Sequence, residues 1–450
     1  MATVSSVNKS WKDLFFDIKE FLFSNLAEGE SLNLNLSSEE THFLRFNQSK
    51  VRQATAVEQG RLSFELKWNK RVVHGEVELS LNREQNRDHL KRTLESLQEE
   101  IRELPEDPFY SEMTNEGESF AEMEGVLPSC DEFVGQIKKY CQGLDLAGYF
   151  TSGLTCRGNA NSLGQNHWFQ SSSFFFDYSL YSAKEKAVKG SYAGSHFNSS
   201  DLEASLQESA QSLKVMDQEQ VELKPGKYRC YLAPAAVGEI AGILGWHALS
   251  GGAYKRGECP LGDLYEKKAT FSPLVTWREN FTLGLNPRFN SWGESSAEIL
   301  PLVEEGQMKD LLICRDTANE YGLTSNQANR GESPRSLEML TGDLELDDIL
   351  KEIGTGLFIS NLHYLNWSDK NKGRLTGMTR FGCLWVEEGK IVGPIKDLRF
   401  DETLYHIFGA GLERVTSFSH TIMETDTYHQ RGLGGFKLPG LLVNDFTFTL

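Results

Sequence analysis

The stretch Tyr231–Gly257, YLAPAAVGEIAGILGWHALSGGAYKRG, is the most apolar long segment of the chain. With histidine counted as neutral, no charged residue lies within Ile240–Tyr254. Pro234 can begin a helix, because the first turn leaves its missing N–H without consequence, and the double glycine near the end can stop one. We therefore predict a helix over Ala235–Leu249 that is buried on most faces. A membrane span would need about 18 or more apolar residues, and this run is shorter.

A buried helix that carries a histidine raises the question of a metal site. Zinc proteases commonly place two histidines and a glutamate on one helix, so that two imidazoles hold the ion and the carboxylate acts on its water. Here His247 stands alone, the segment Gly242–Trp246 before it offers no ligand, and Glu239 lies about two helical turns upstream. We interpret His247 as a structural or cavity-wall histidine, and a metal ligand is the alternative.

Composition and charge exclude several classes of protein. The chain has 450 residues, enough for two or three domains, and a net charge of −18. This acidic balance argues against nucleic-acid binding, which needs clustered lysine and arginine. The 7 cysteines are scattered without a Cys-x-x-Cys pair, as expected for reduced thiols. The N-terminus lacks the pattern of a signal peptide, so we expect a cytoplasmic protein without a membrane segment.

Hydrophobic periodicity divides the first half of the chain into two units. Helical spacing over about residues 8–26 is followed by alternating strands, of which Leu62–Trp68 is the clearest, and by a helix over Arg83–Leu104. We assign residues 1–105 to an N-terminal α+β domain with an antiparallel meander. Residues 106–224 form a middle α+β domain, in which Ser129 opens a helix through a capping box. An aromatic stripe within His167–Ser182 is interpreted as core, and a peptide groove is the alternative.

The remaining residues, 225–450, are predicted to form a larger, mostly antiparallel, β-rich C-terminal domain around the buried helix. Its expected elements include a strand at Asp310–Asp316, a hairpin turning near Glu388–Gly389, a short helix over Leu404–Val415 and a closing strand at Leu441–Leu450. Regular alternation of strands and helices is absent, so a doubly wound parallel sheet is not expected. The predicted fold class is α+β.

One further segment, Gly356–Phe400, combines aromatic strands, a polar loop and a glycine-rich return. Thr379 and Arg380 lie close to these glycines, where an arginine and backbone N–H groups could meet a peptide carboxylate or carbonyl. A set of tight hairpins explains the pattern equally well. The residues that we consider candidates for a substrate cavity are Glu239, His247, His363, Asp369, Thr379 and Arg380.

The same segment resembles the TldD/PmbA family. The phrases that carry the resemblance are GLFISNLHYLN (356–366), GRLTGMTRFG (373–382), EEGKIVGPIKDLRF (387–400), FLRFNQSKVRQATAVEQGRLSFEL (43–66) and LPGLLVNDFTFTL (438–450). They span essentially the whole chain. The resemblance implies a soluble cytoplasmic protein that acts in regulated proteolysis or in trimming peptide precursors.

This family has two branches, and the resemblance implies which one is relevant. TldD-like subunits carry a His-Glu-x-x-x-His zinc motif and a later cysteine ligand, whereas TldE-like subunits lack the motif and partner the zinc-bearing subunit around an enclosed cavity. In this chain the first histidine and the glutamate fall on Gly242 and Ile243, and only His247 persists. No cysteine follows Cys383. The chain thus resembles the TldE branch.

Three hypotheses follow for function. The first is a non-catalytic, TldE-like subunit that pairs with a TldD-like zinc protease and helps admit unfolded peptides. It would need no cofactor of its own, since zinc is expected only in the partner. The second is a self-sufficient peptidase with a non-standard site, for which the residues to examine are Glu239, His247, His363 and Asp369. The third is a non-catalytic, peptide-binding homodimer.

Overall fold

The computed structural model describes residues 10–449. The first half of the chain contains, in order, α1 Trp11–Phe23, β1 Ser31–Asn47, β2 Lys50–Trp68, β3 Arg71–Leu79, α2 Arg83–Glu103, β4 Glu118–Met123, α3 Cys130–Tyr140, β5 Asp145–Asn161, β6 Asn166–Tyr181, β7 Ala187–Gly194 and α4 Ser199–Met216. Its strands form a seven-stranded sheet in the order β3-β2-β1-β5-β6-β4, and β7 also pairs with β6. The pairing of β4 with β6 is parallel and the rest is antiparallel. The predicted meander and its flanking helices are confirmed.

Alternation along the strands gives this first sheet one apolar face and one polar face. The apolar face includes Leu32, Leu34 and Leu36 of β1, which are buried against α1 and α2. Farther along the same face, α3 and α4 cover the sheet, and Phe133 of α3 stacks on Phe150 of β5 with ring centroids 3.7 Å apart. Most of the predicted aromatic stripe is therefore core, and the polar face is left for the C-terminal half of the chain.

Helix ends in this region follow the expected capping chemistry. The Ser129 hydroxyl accepts a hydrogen bond from the Glu132 N–H at 3.1 Å, which is one of the two hydrogen bonds of the predicted capping box. The Ser10 hydroxyl similarly accepts from the Asp13 N–H at 3.1 Å and opens α1. The predicted helix over residues 8–26 is shorter in the structure, and residues 8 and 9 lie outside the described part of the chain.

The second half of the chain builds a thirteen-stranded sheet. Its elements are β8 Gly226–Leu232, α5 Pro234–Leu244, α6 Gly251–Lys255, α7 Gly262–Tyr265, β9 Trp277–Asn280, β10 Ile299–Glu304, β11 Gln307–Met308, α8 Arg315–Tyr321, β12 Ser336–Met339, α9 Ile349–Ile353, β13 Gly356–Ile359, β14 Asn361–Asp369, β15 Arg374–Arg380, β16 Leu384–Glu387, β17 Lys390–Pro394, β18 Arg399–Thr403, β19 Leu412–Met423 and β20 Gly435–Phe448. The main path runs β11-β10-β9-β12-β20-β8-β13-β16-β17. Antiparallel pairs dominate it, which confirms the predicted α+β class.

Helix α5 lies in the core of this second half, as predicted, but it is shorter than predicted. Val237, Ile240 and Leu244 are buried in the main hydrophobic cluster. The helix ends at Leu244 instead of continuing to Leu249, because Gly245 closes the last turn and His247 takes a left-handed conformation with φ of 74°. The double glycine belongs to the next short helix, α6, and does not terminate α5.

One other expected element is wrong, and a second is shorter than predicted. The apolar run Asp310–Asp316 is not a regular strand, because loop groups satisfy its backbone, including the Asn326 side-chain oxygen that accepts from the Ile313 N–H. The short helix predicted within Leu404–Val415 is present but shorter, because helical turns cover residues 404–410, Gly409 has a non-helical backbone and β19 begins at Leu412. The predicted hairpin at Glu388–Gly389 is confirmed by the pairing of β16 with β17.

The domain boundaries remain predictions. Strands on both sides of the proposed boundary at residues 105 and 106 share the first sheet, whereas the boundary at residues 224 and 225 falls between the two sheets. Among the described residues, no helix is both long enough and apolar enough to cross a bilayer.

Candidate functional site

A cavity of about 470 Å³ lies between helix α5 and the polar face of the first sheet. We call it the central cavity, and its walls include Gly238, Glu239 and Gly242 of α5, Phe175, Asp177 and Lys189 of β6 and β7, Ile422 of β19, and Asn286, Asn329 and Arg335 from the loops of the second half. Volumes of this size are typical of ligand sites in proteins. The helix predicted to be central to the fold therefore also forms one wall of this cavity.

Glycines on α5 create part of this space. A Cβ atom built on Gly242 would have no heavy atom within 4 Å outside its own helix turn and chain neighbours. One turn earlier, a Cβ atom on Gly238 would lie only 2.6 Å from the Cδ1 atom of Ile422. The wall is thus closed at Gly238 and open at Gly242, although both positions are the same residue type.

The charged part of the cavity is built from Glu239, Asp177 and Lys189. The Lys189 ammonium lies 3.4 Å from a carboxylate oxygen of Asp177. Burial raises the pKa of Asp177, and Lys189 partly offsets this effect. Burial also raises the pKa of Glu239, with Lys189 opposing and Asp177 reinforcing the shift. Two carboxyl groups with raised pKa values around one lysine can exchange protons or hydrogen bonds with a polar ligand.

His247 does not line the central cavity. Its Nδ1 atom lies 2.9 Å from the Lys370 ammonium on the other side of the turn, so the neutral ring accepts a hydrogen bond there. Partial burial lowers the pKa of His247, and the positive charges of Lys370 and Arg256 lower it further. The structure thus gives this histidine a hydrogen-bonding partner on the surface.

The other candidates lie on the hairpin of β14 and β15, and none of them lines the central cavity. Asp369 caps a turn by accepting from the Lys372 N–H at 3.3 Å. Thr379 is buried, and its hydroxyl accepts from the Leu398 N–H at 2.9 Å. Arg380 is exposed over the ring of Phe381.

His363 belongs to the same hairpin and is half-buried opposite Met378. Burial lowers the pKa of His363, and nearby Arg380 and Lys189 act in the same direction. The neutral ring is therefore the stable form at physiological pH. Of the six candidate residues, the structure brings Glu239 alone to the wall of the central cavity, and the roles assigned to the others stay predictions.

Sequence reasoning missed Glu332, which organises the turn after α5. One carboxylate oxygen accepts from the Ser250 hydroxyl at 2.5 Å and from the Gly252 N–H at 2.8 Å, and the other accepts from the Cys314 N–H at 2.9 Å. Burial opposes ionisation of Glu332, but these donors hold its pKa below the usual range. Because Glu332 is 80 or more residues from Ser250 and Gly252, no local spacing could indicate the contact.

The residues around α5 do not fit a hydrolytic zinc ion. Such an ion normally has three protein ligands and one open position. Within residues 10–449, no cluster of three histidine, cysteine, aspartate or glutamate side chains is placed to hold a metal. Gly242 and Ile243 provide no ligand atoms, and Ile243 is buried. No metal-dependent step is therefore assigned to this chain.

Comparison with known proteins places these features in context. The sequence profile described as the PmbA/TldA metallopeptidase C-terminal domain matches residues 225–450. No curated protein is matched by the sequence. The solved structure of TldE from Thermococcus kodakarensis is similar with a TM-score of 0.76 at 15% identity, over 98% of this chain and 99% of that chain.

Two further solved structures share the fold. One is a candidate modulator of DNA gyrase from Thermotoga maritima, with a TM-score of 0.75 at 15% identity over 97% of this chain and 100% of that chain. The other, from Bacteroides thetaiotaomicron and described in the same way, has a TM-score of 0.72 at 16% identity over 97% and 98% of the two chains. At these identities the similarity concerns the fold.

Proposed function

This chain belongs to the PmbA/TldD metallopeptidase family, whose C-terminal domain it carries over residues 225–450, and from that membership we propose that it is a TldE-like subunit without catalytic zinc. Its partner would be a TldD-like zinc protease subunit in a heterodimer. The substrate would be an unfolded peptide, and the pair would act in cytoplasmic proteolysis or in maturation of peptide precursors.

The observation that carries this proposal is the open position at Gly242. The family's zinc branch would place its first histidine ligand there, and in this chain that position is a glycine, which has no ligand side chain and opens into a cavity of about 470 Å³. Because the zinc ligands are absent while the cavity beside α5 is present, this part of α5 is better explained as a wall of a substrate chamber than as a metal centre. The scattered, unpaired cysteines support a reducing cytoplasmic location.

The lining of the central cavity is suited to an extended peptide backbone. It combines hydrogen-bonding groups such as Asn329 and Ser333 with the apolar ring of Phe175. Peptide amides and carbonyls can bond to such groups, while apolar surface accepts side chains without strong sequence preference. A chamber that receives unfolded chains of varied sequence needs this combination.

Co-expression with a zinc-bearing, TldD-like paralogue from the same source tests the proposal. Size-exclusion chromatography at micromolar concentration should show one peak that contains both chains and cleaves an unstructured peptide, whereas this chain alone should not cleave it. Two separate peaks would contradict the heterodimer. Cleavage by this chain alone would favour a self-sufficient peptidase, and a stable homodimer that binds peptide without cleavage would favour the peptide-binding alternative.

A further inference from the structure

A second cavity, of about 420 Å³, lies against the polar face of the first sheet. We call it the arginine cavity, because its walls include Arg61, Arg157, Arg330 and Arg335. Glu65 is the one carboxylate on the same walls within the described residues. In a chain with a net charge of −18, such a local excess of positive charge favours an anionic ligand.

Arg157 of β5 is the arginine with unused hydrogen-bonding capacity. One of its guanidinium nitrogens donates to the Cys156 carbonyl at 2.8 Å, which is its one side-chain hydrogen bond within the described chain. No carboxylate among residues 10–449 lies within 4.0 Å of its guanidinium group. Burial lowers the pKa of Arg157 to about 10, so the group is still charged at neutral pH. Glu39 acts on this charge from outside ion-pair distance and offsets the effect of burial only in part. A partly buried cation with one hydrogen bond and no ion pair is costly unless a ligand or water compensates it.

Two neighbouring arginines already form ion pairs or hydrogen bonds with other groups of the protein. Arg61 of β2 forms ion pairs with Glu76 at 3.3 Å and Glu78 at 2.8 Å. The guanidinium of Arg335 donates to the carbonyls of Pro287 and Phe289. These two groups therefore contribute mainly fixed walls, because Glu76 and Glu78 offset the charge of Arg61 and Glu279 lies 4.0 Å from the Arg335 guanidinium.

Arg330 also has acidic neighbours, although at longer distances. Its guanidinium lies 3.8 Å from a carboxylate oxygen of Glu65 and 3.7 Å from one of Asp316, and it covers the ring of Trp292. Of the four arginines, Arg157 is thus the one whose donors are available to an incoming anion.

The arginine cavity adjoins the central cavity. Asn286, Asn329 and Arg335 belong to the walls of both. A chain lying along α5 could therefore continue past these residues toward Arg157. The arginine cavity is also lined by Phe289, whose apolar surface could accept the last side chain of a peptide.

We infer that the arginine cavity binds the C-terminal carboxylate of a peptide whose preceding residues occupy the central cavity, with Arg157 as the donor. This inference rests on the proposed function, because it assumes that the central cavity receives peptides. A planar guanidinium can bind a carboxylate through two parallel hydrogen bonds. Such a contact would position a peptide by its C-terminus and would not select for its internal sequence.

Fluorescence anisotropy with a labelled, unstructured peptide of alanine, serine and glycine tests the inference on the assembled heterodimer, after a chelator has removed the zinc so that the peptide is bound and not cleaved. The peptide is prepared with a free C-terminal carboxylate, with a C-terminal amide, and as an amide with one internal glutamate. For the unmodified protein, amidation should weaken binding about tenfold, since one charge-assisted contact of this kind contributes on that order. The internal glutamate should not restore affinity.

Three variants complete the experiment. In Arg157→Gln the acid and the amide should bind with similar affinity, and Arg157→Lys, which keeps the charge without the two-pronged geometry, should retain part of the preference. Arg92→Gln, an exposed position on α2, serves as the charge-matched control and should behave as the unmodified protein. Circular dichroism of each variant checks that the fold is intact.

The outcomes separate this inference from the proposed function. If the unmodified protein binds acid and amide equally, the inference is wrong although peptide binding stands. If Arg157→Gln keeps the full preference for the acid, the carboxylate is bound elsewhere. Restoration of affinity by the internal glutamate would overturn recognition of the chain end. If no peptide binds in any form, the proposed function fails, and the inference fails with it.

Discussion

Replacement of Gly242 by tryptophan should close the central cavity without damaging the fold. A side chain at this position meets no heavy atom within 4 Å at its Cβ, and because Gly242 lines the cavity of about 470 Å³, we expect the indole to project into it. A tryptophan that folds against a wall buries roughly 150–250 Å² of surface. We expect peptide affinity to fall at least tenfold, which corresponds to about 1.4 kcal/mol.

Gly135 of α3 provides a matched control for this change. It is also a helical glycine, it is exposed, and a Cβ atom built on it has nothing within 4 Å. Glycine is the weakest helix former apart from proline, so tryptophan at either position should raise the free energy of unfolding by a few tenths of a kcal/mol, about 0.3–0.5. We thus expect the same small gain in the free energy of unfolding for both variants, and a loss of peptide affinity for Gly242→Trp alone.

Urea denaturation and peptide binding on both variants provide the measurement. The assembled complex is also assayed for cleavage of an unstructured peptide. Full affinity and full cleavage by Gly242→Trp, with intact assembly, would refute the assignment of the central cavity as a substrate chamber. A loss of stability of more than about 1 kcal/mol, of the size expected for overpacking, would show that the position is not open.

Two further predictions concern buried ionisable groups. His167 is buried, and its Nδ1 atom lies 2.8 Å from the Ser119 hydroxyl. Burial lowers the pKa of His167 from an ordinary value of 6.5, so the imidazole binds a proton more readily in the unfolded chain than in the folded one. The free energy of unfolding should therefore fall as the pH drops below about 6.5. His167→Gln should flatten that part of the pH dependence in urea titrations between about pH 8 and about pH 5, and an unchanged slope would contradict the assignment. Glu332→Gln removes charge from a group bonded to three donors and should lower the free energy of unfolding by about 2 kcal/mol at neutral pH. Glu99→Gln, at an exposed position, is the control. Equal stability of the two variants would contradict a stabilising role of Glu332 at the turn between α5 and α6.

Periodic elements of this chain were predictable because their signal is local. The alternation of Leu32, Leu34 and Leu36 specifies a strand with one buried face, and the structure places all three in the core. The hairpin at Glu388–Gly389 and the cap at Ser129 are likewise encoded within a few residues.

Features that depend on distant contacts were not predictable. The end of α5 at Leu244 depends on a left-handed His247, and its neighbouring turn is held by Glu332 from far along the chain. Five residues separate positions 242 and 247, which on a continuous helix would place them about 140° apart around the axis. The break after Leu244 therefore decides which side chains reach the central cavity, and hydrophobic periodicity does not report it.

The residues that line the cavities were also not predictable, because they too come together through contacts between distant parts of the sequence. Lys189 and Asn329 lie on segments far apart in sequence, and the folded chain brings them to the walls of the same cavity as Glu239. Arg157 appears in its strand as one polar residue among alternating positions. That no carboxylate within residues 10–449 forms an ion pair with it becomes visible when the surrounding loops are in place.

Elemental analysis of zinc in the purified chain, after mild desalting, tests the central claim most directly. The TldD-like partner, purified in the same way, serves as the positive control and should retain about one zinc per chain. For this chain we expect near-zero zinc, because Gly242 and Ile243 cannot act as ligands and no three-residue cluster exists within residues 10–449. About one zinc per chain would contradict a non-catalytic TldE-like subunit and would require a metal site formed by other residues.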